Sequence, residues 1–274
     1  MNKRLVLIIS GLLILLIASI LVIILNAKKS KAPIQGKEEA ISPASVLLTQ
    51  ARGLETKGNL LEAKAIYQRL VTTFSNSNEV MNWQKKIEDI NIKLLFSPVI
   101  IPKSKFYTIK PGDTLTKIAK EFGTTTGLIM KSNNLADDRI TPGRKIKVWT
   151  APFSILVDKS QNTLILKTDE EIVKTYVIST GKDNSTPVGT FKITNKLLNP
   201  TWFKAGAVVP AGAPENILGT RWLGFNLPGY GIHGTTAPQS LGRQLTQGCV
   251  RMSNPNVEEL YTIIPIGTEV TIVD

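Results

Sequence analysis

The spacing of apolar and polar residues divides the chain into four parts. An apolar run from Leu5 to Leu25 is interrupted only by serine and glycine, and it is long enough to cross a hydrocarbon core of roughly 30 Å. Residues 43–96 carry apolar side chains at helical spacing, residues 105–149 combine helical and strand periods, and residues 153–274 mostly alternate. The pattern predicts a multidomain α+β chain that begins with a transmembrane helix.

The first part, residues 1–30, is predicted to be an uncleaved membrane anchor. A cleavable signal would have a shorter apolar stretch of about 7–15 residues, with small residues before the cut. The stretch Leu25-Asn-Ala27 fits such a cut poorly. Basic residues flank the run on both sides, so the charge pattern does not decide its orientation in the membrane.

The second part, residues 43–96, is predicted to form a short α-helical hairpin region. Its apolar positions place two helices around a turn at Gly58-Asn59, and a further helix runs from Val80 to Leu95. The pattern is similar to a tetratricopeptide repeat. Since at least three such repeats normally make a stable array, the region is either a helical spacer or the docking site of a protein partner.

The third part, residues 105–149, is predicted to contain two short helices between two strands. Asp113 or Thr114 can cap the first helix, and Thr125 or Thr126 can begin the second. The strand that closes this part is predicted at residues 145–148.

Two stretches of this part, Tyr107-Thr-Ile-Lys-Pro-Gly-Asp-Thr-Leu115 and Ile140-Thr-Pro-Gly143, resemble the lysin motif (LysM). The resemblance implies a βααβ fold that binds glycans containing N-acetylglucosamine, such as peptidoglycan. It implies no catalytic residue here, and a small structural module without a ligand is the alternative.

The fourth part, residues 153–274, is predicted to be mostly β. Alternating segments predict strands at 153–157, 162–167, 171–178 and 269–273. Ser253-Asn-Pro-Asn256 is typical of a helix start, and Pro265 with Gly267 ends that helix.

Candidate chemistry in this part rests on a single thiol and a single imidazole. The chain has one cysteine and one histidine, which are Cys249 in Gln247-Gly-Cys-Val-Arg-Met252 and His233 in Gly231-Ile-His-Gly-Thr235. In contact, the two side chains can shift toward thiolate and imidazolium, which is the reactive form. Taken separately, each is more often a structural residue. One cysteine and one histidine are too few soft ligands for a structural zinc site.

The framing of this pair by glycines, with Val250-Arg-Met252 after the cysteine, resembles the L,D-transpeptidase (YkuD-type) family. The resemblance implies a mostly β catalytic domain without a metal or organic cofactor. It also implies that Cys249 is the nucleophile and His233 the base, and that the carbonyl of Gly234 orients the imidazole.

Substrate contacts are predicted around the same motif. Arg251 has a fork of donors that suits a carboxylate, although a structural arginine is equally expected. Gly248 permits close approach of a substrate backbone, and Tyr230 could line a peptide groove. Gln247 occupies a position where the family usually has histidine; it can hydrogen-bond but cannot titrate.

The net charge limits the expected partners. A charge of +12 favours anionic surfaces such as lipid headgroups or wall polymers. Nucleic acid is not expected as a partner, because the chain has no zinc-finger spacing and no basic stretch interleaved with aromatic residues.

The predicted anchor and the family resemblance together imply a membrane-anchored enzyme that crosslinks peptidoglycan through a cysteine acyl-enzyme. Two other functions remain open from the sequence alone. One is a hydrolase on the same site, in which water resolves the acyl-enzyme. The other is a wall-binding protein in which the change to Gln247 has left the catalytic domain inactive.

Overall fold

The computed structural model describes residues 42–204 and 206–274. The predicted anchor at residues 1–30 lies outside these ranges. Within them, no helix has both the length and the apolarity needed to cross a membrane.

Three helices form the region that precedes the first strand. They are α1 (Pro43–Thr56), α2 (Leu60–Thr73) and α3 (Val80–Leu95). The turn between α1 and α2 contains Gly58 at a φ of +78°, a conformation that glycine adopts without steric cost. Ala51 of α1 and three side chains of α2, Ala63, Tyr67 and Leu70, are fully buried. The helical hairpin therefore forms where the apolar spacing predicts it.

The LysM region folds as strand, helix, helix, strand. Its elements are β1 (Ser104–Thr108), α4 (Leu115–Glu121), α5 (Thr126–Ser132) and β2 (Lys145–Trp149), with β1 antiparallel to β2. Thr114 and Thr125 are the N-cap residues, because their hydroxyl groups accept hydrogen bonds from Lys117 N and Leu128 N. The structure thus selects one of the two predicted caps for each helix.

An eight-stranded mixed sheet forms the frame of the C-terminal region, in the order β13-β11-β10-β7-β14-β3-β4-β5. Its strands are β3 (Ser154–Asp158), β4 (Thr163–Thr168), β5 (Glu171–Val177), β7 (Gly189–Leu198), β10 (Arg221–Phe225), β11 (Gly231–His233), β13 (Val250–Arg251) and β14 (Glu269–Val273). Two small paired sheets contain the remaining strands: β6 (Thr180–Gly181) with β12 (Gln244–Thr246), and β8 (Trp202–Lys204) with β9 (Ala207–Val209).

One helix, α6 (Asn254–Ile263), packs its apolar face against this sheet. The hydroxyl of Ser253 caps it by accepting from Asn256 N, and Val257, Leu260 and Ile263 are fully buried. The predicted helix start and apolar face are both present. Because α6 begins three residues after β13, its first turn lies close to Cys249.

Helix α3 covers the outer edge of the sheet at β5. The carboxylate of Glu88 accepts from Thr175 N at 3.2 Å and from Thr175 Oγ1 at 3.0 Å. The amide of Asn91 donates to Ile172 O at 3.2 Å and to Val173 O at 3.1 Å. Side chains of the helix thereby satisfy backbone groups that an edge strand would otherwise expose.

The LysM region is also fixed to its neighbours. Lys147 on β2 is almost fully buried, and its ammonium donates to Leu94 O at 2.7 Å and to Ser97 O at 2.9 Å. Burial lowers the pKa of Lys147 to about 8. Thr125 at the start of α5 donates its hydroxyl hydrogen to Thr262 O on α6. From Leu47 onward, the helical, LysM and C-terminal regions therefore pack as one compact unit.

Candidate active site

Cys249 and His233 line one open cleft at the β11–β13 end of the sheet. The cleft has a volume of about 760 Å³. Strands β11 and β13 are parallel neighbours that pair His233 with Arg251, so the residues on either side of this pair come together. The sequence-predicted residues that line the cleft are Tyr230, His233, Gln247, Cys249 and Arg251.

The two predicted glycines, Gly234 and Gly248, are buried behind the wall of the cleft. Gly248 has a φ of +123°, and a Cβ there would lie 2.7 Å from Cε1 of Tyr230 and 3.1 Å from Ser185 O. Glycine is therefore required at this position by both backbone conformation and space. Tyr230 packs directly on the backbone that precedes the cysteine.

The imidazole of His233 is oriented from behind by a backbone carbonyl. Its Nδ1 lies 2.6 Å from Gly234 O, which is the contact that the family resemblance predicts. Trp222 stacks on the ring, with centroids 6.0 Å apart and an interplanar angle of 19°. Since a carbonyl can only accept, Nδ1 carries the hydrogen, and Nε2 of the neutral ring is left as a proton acceptor.

Burial favours the neutral forms of both candidate groups. It lowers the pKa of His233 to about 4, against the smaller opposing effect of the hydrogen bond to Gly234. Burial also raises the pKa of the Cys249 thiol, while the Gly231 backbone and the charge of Arg251 act weakly in the other direction. These directions are opposite to the shift toward thiolate and imidazolium that contact between the two side chains would produce, because desolvation outweighs the nearby donors and charge. Both directions favour a thiol and a neutral imidazole over the charged pair.

Thr246 organises the turn that carries the cysteine. Its hydroxyl accepts from Gly248 N at 3.2 Å and donates to Cys249 O at 2.6 Å. The N–H of Gly248 is thus already engaged, whereas the N–H of Cys249 has no hydrogen-bond partner within the described residues. The thiol itself donates to Gly229 O at 3.4 Å.

Replacing Thr246 with valine is expected to lower kcat/KM about tenfold and to cost about 1–2 kcal/mol of stability. Valine keeps the shape but leaves Gly248 N–H and Cys249 C=O without their partner. Thr246→Ser is the matched control, since it keeps the hydroxyl. Steady-state kinetics and urea unfolding of both variants measure the two effects, and equal behaviour of the variants would contradict this role.

Arg251 lines the cleft, and one of its guanidinium nitrogens is hydrogen-bonded to a neighbouring side chain. Its Nη1 donates to Ser240 Oγ at 3.2 Å, while its buried Nε has no hydrogen-bond partner within the described residues. No carboxylate of residues 42–204 or 206–274 forms an ion pair with it. A half-buried guanidinium that lines a cleft without an ion-pair partner is the kind of group that binds a carboxylate of a ligand.

The opposite wall of the cleft was not predicted from the sequence. It is apolar and is built from the end of β7, the β8 strand and the segment before β10, with Leu197, Pro200, Trp202, Phe203, Ile217 and Leu218 facing the cavity. Phe203 is 75% exposed. The only sign of this wall in the sequence is a cluster of apolar residues that follows neither a strand nor a helix period.

Protonation of His233 is expected to destabilise the fold in acid. The folded pKa of about 4 lies below the ordinary value of 6.5, so the folded state binds fewer protons than the unfolded chain. This contribution to stability is fully present above pH 6.5 and is lost as the pH falls toward 4. It amounts to about 3 kcal/mol.

Urea unfolding of the protein and its His233→Gln variant between pH 7.5 and 4 measures this effect. Carboxylates titrate in both proteins, so the difference between the two curves isolates the imidazole. A difference that is constant with pH would contradict the assignment.

A β domain that holds one thiol and one oriented imidazole in an open cleft has the components of an acyl-transfer enzyme that works through a cysteine thioester. Comparison with known proteins gives the particular family. The profile of the L,D-transpeptidase catalytic domain (YkuD) matches residues 152–272, and that of the LysM domain matches residues 107–149.

Two relatives of known name agree with these profiles. L,D-transpeptidase YkuD of Bacillus subtilis is 37% identical over 173 residues, which cover 61% of this chain and 97% of the relative. L,D-transpeptidase YqjB of the same organism is 40% identical over 126 residues, covering 44% of this chain and 70% of the relative. Among solved structures, an L,D-transpeptidase from Mycobacterium smegmatis is 22% identical with a TM-score of 0.39, covering 48% of this chain and 64% of that one.

The chain belongs to the L,D-transpeptidase family, since it is 37% identical to a relative that it covers almost from end to end. It carries an L,D-transpeptidase catalytic domain together with a LysM domain. The two domains imply that peptidoglycan is the polymer it binds and that it works outside the cytoplasm.

Proposed function

We propose that this protein is a membrane-anchored L,D-transpeptidase that crosslinks peptidoglycan through an acyl-enzyme on Cys249, with release of D-alanine. One observation carries the proposal. Cys249 and His233 share a cleft, and the bond from Nδ1 to Gly234 O leaves Nε2 as the nitrogen that can accept the thiol proton. Because burial favours the neutral pair, proton transfer accompanies attack rather than preceding it.

The proposed reaction has two halves. Cys249 Sγ attacks the carbonyl that joins the third residue of the peptide stem to the terminal D-alanine, and His233 takes the thiol proton. The C–N bond then breaks, His233 returns a proton to the departing amine, and a thioester remains. An amine of a second stem attacks the thioester, forms the crosslink and regenerates the thiol.

The oxyanion of each tetrahedral intermediate is assigned to the backbone N–H of Cys249. The neighbouring Gly248 N–H donates to Thr246 Oγ1, whereas the Cys249 N–H has no partner in residues 42–204 and 206–274. A free, preorganised N–H next to the nucleophile is the donor such an intermediate requires.

Substrate binding is assigned to both walls of the cleft. Arg251 suits the terminal carboxylate of the donor stem, since it lines the cleft and pairs with no carboxylate of the described residues. Tyr230, Gln247 and the backbone at Gly248 would contact the peptide, and the apolar wall opposite would hold the aliphatic parts of the stem. No metal or organic cofactor takes part in this mechanism.

The other regions are assigned roles in placing the catalytic domain at its substrate. The anchor would hold the chain in the cell membrane, with residues after it on the outer side, where peptidoglycan lies. The LysM domain, residues 105–149, would bind glycan strands near the catalytic domain, residues 153–274. The helical region, residues 43–96, acts as a spacer that also covers β5, and a protein partner would have to bind its remaining surface.

Product analysis tests the proposal. The full chain in detergent and its Cys249→Ala variant are each incubated with a disaccharide tetrapeptide and a second D-amino acid, and products are identified by mass spectrometry. Replacement of the terminal D-alanine, or a dimer, supports transpeptidation. A tripeptide alone would show hydrolysis instead, and no product with intact glycan binding would show an inactive wall-binding protein.

A further inference from the structure

One peptide unit connects His233 to a residue outside the predicted site. This unit joins Gly234 to Thr235. Its carbonyl oxygen lies 2.6 Å from His233 Nδ1, and its N–H donates to Asn254 Oδ1 at 3.0 Å. A single rigid amide plane therefore holds the imidazole at one end and the Asn254 side chain at the other.

Asn254 is itself held in place. It is the first residue of α6, directly after the Ser253 cap. Its Oδ1 also accepts from Thr220 N at 3.2 Å, so one oxygen ties together the segment that precedes β10 and the segment that follows β11. A Cβ at Gly219 or at Gly234 would lie 2.2 Å from this oxygen. Both glycines are thus needed for the carboxamide to reach the two N–H groups.

Asn254 affects the imidazole in two ways, through the orientation of the peptide plane and through its polarisation. An acceptor on the N–H of an amide increases the negative charge on its carbonyl oxygen, because hydrogen bonds in a chain polarise one another. The stronger acceptor holds the hydrogen on Nδ1 more firmly and stabilises the imidazolium that forms when the thiol is deprotonated. Without Asn254, the peptide plane would lose the bond that sets its orientation.

We propose that Asn254 is a positioning residue for catalysis, which acts through the Gly234–Thr235 peptide to fix the tautomer and orientation of His233. The inference rests on the proposed role of His233 as the base. Asn254 touches neither the thiol nor the wall of the cleft, so its effect on the reaction is indirect.

A spectroscopic measurement tests the proposal apart from activity. The chain has one histidine, so protein free of a histidine tag gives one set of imidazole ¹⁵N resonances. The wild-type protein should show the tautomer protonated at Nδ1. Asn254→Ala should show a mixture of the two tautomers, with kcat/KM lowered about 10- to 100-fold and mostly through kcat.

Asn254→Asp is the matched variant, because it keeps an oxygen at the same position. It should retain the Nδ1-protonated tautomer and raise the pKa of His233 by about 0.5 or more, since a carboxylate at the end of the chain favours the imidazolium. This arm remains informative if the alanine variant does not fold.

The outcomes separate the inference from the proposed function. Unchanged ¹⁵N shifts in Asn254→Ala, whether or not activity falls, would overturn the positioning role, and so would an unshifted titration in Asn254→Asp. An inactive wild-type protein would overturn the proposed function, while the ¹⁵N measurement would still decide whether Asn254 controls the imidazole.

Discussion

Replacing Cys249 with alanine is expected to lower kcat/KM for the exchange of the terminal D-alanine by about 10⁴-fold or more. The chain has one thiol, so no other cysteine can form the thioester. The cleft and the imidazole remain in the variant, so water could still attack the substrate there, but only slowly. Mass-spectrometric product analysis over hours, with enzyme in excess, measures the residual rate.

The same substitution should leave the fold and glycan binding unchanged. The thiol is half-buried, its hydrogen bond to Gly229 O is long at 3.4 Å, and the LysM domain does not contain it. Unfolding and pull-down on insoluble peptidoglycan are the controls. Activity of Cys249→Ala within tenfold of wild type would rule out a thioester mechanism on this residue.

Replacing His233 with glutamine is expected to lower kcat by about 10³-fold or more with little change in KM. Glutamine fills the space and hydrogen-bonds, but it cannot take the thiol proton. Burial raises the pKa of the Cys249 thiol, so its attack needs a base, and the chain has no second histidine. The family's usual second histidine is Gln247 here, so the loss should be close to complete.

The pH dependence provides the matching test in the wild-type protein. Because burial lowers the pKa of His233 to about 4, kcat/KM should stay level from neutral pH to about 5 and fall below it with a single proton. His233→Gln should lack that acidic limb. A limb that persists unchanged in the variant would assign it to a carboxylate and contradict the role of the histidine as base.

Much of the fold follows from local pattern. The helices of residues 43–96 and the strands of residues 153–177 were predictable because apolar period and turn chemistry agree there. The sequence did not predict which of Asp113 and Thr114 caps the first LysM helix, since both residue types cap helices. In the structure, Asp113 instead accepts from Tyr107 Oη and Lys110 N.

The rest depends on contacts between distant segments. Strands β6 and β12 contain two and three residues, too few to show a period, and they form only because they pair with each other. The carboxylate of Glu88 accepts a hydrogen bond from Thr175, 87 positions along the chain, and no local sequence pattern predicts such a contact. The helical region was expected to be a spacer or a partner site, and its contact with β5 adds a role that sequence reasoning missed.

The candidate site shows the same division. Cys249 and His233 were found because each is the only residue of its type, and the flanking glycines marked their turns. The directions of the two pKa shifts were not predictable, since they depend on burial that residue spacing does not contain. Asn254 was missed as well, because an asparagine at a helix start is ordinary until the bond to Thr235 N is seen.

Intact-protein mass spectrometry of an acid-quenched turnover mixture tests the central claim most directly. With a tetrapeptide stem as donor, the account predicts a mass increase equal to the stem without its terminal D-alanine, located on the peptide that contains Cys249. The adduct should disappear when an acceptor amine is added, as the crosslinked product forms. Product formation with no adduct at any quench time, or with an adduct on another residue, would contradict the account.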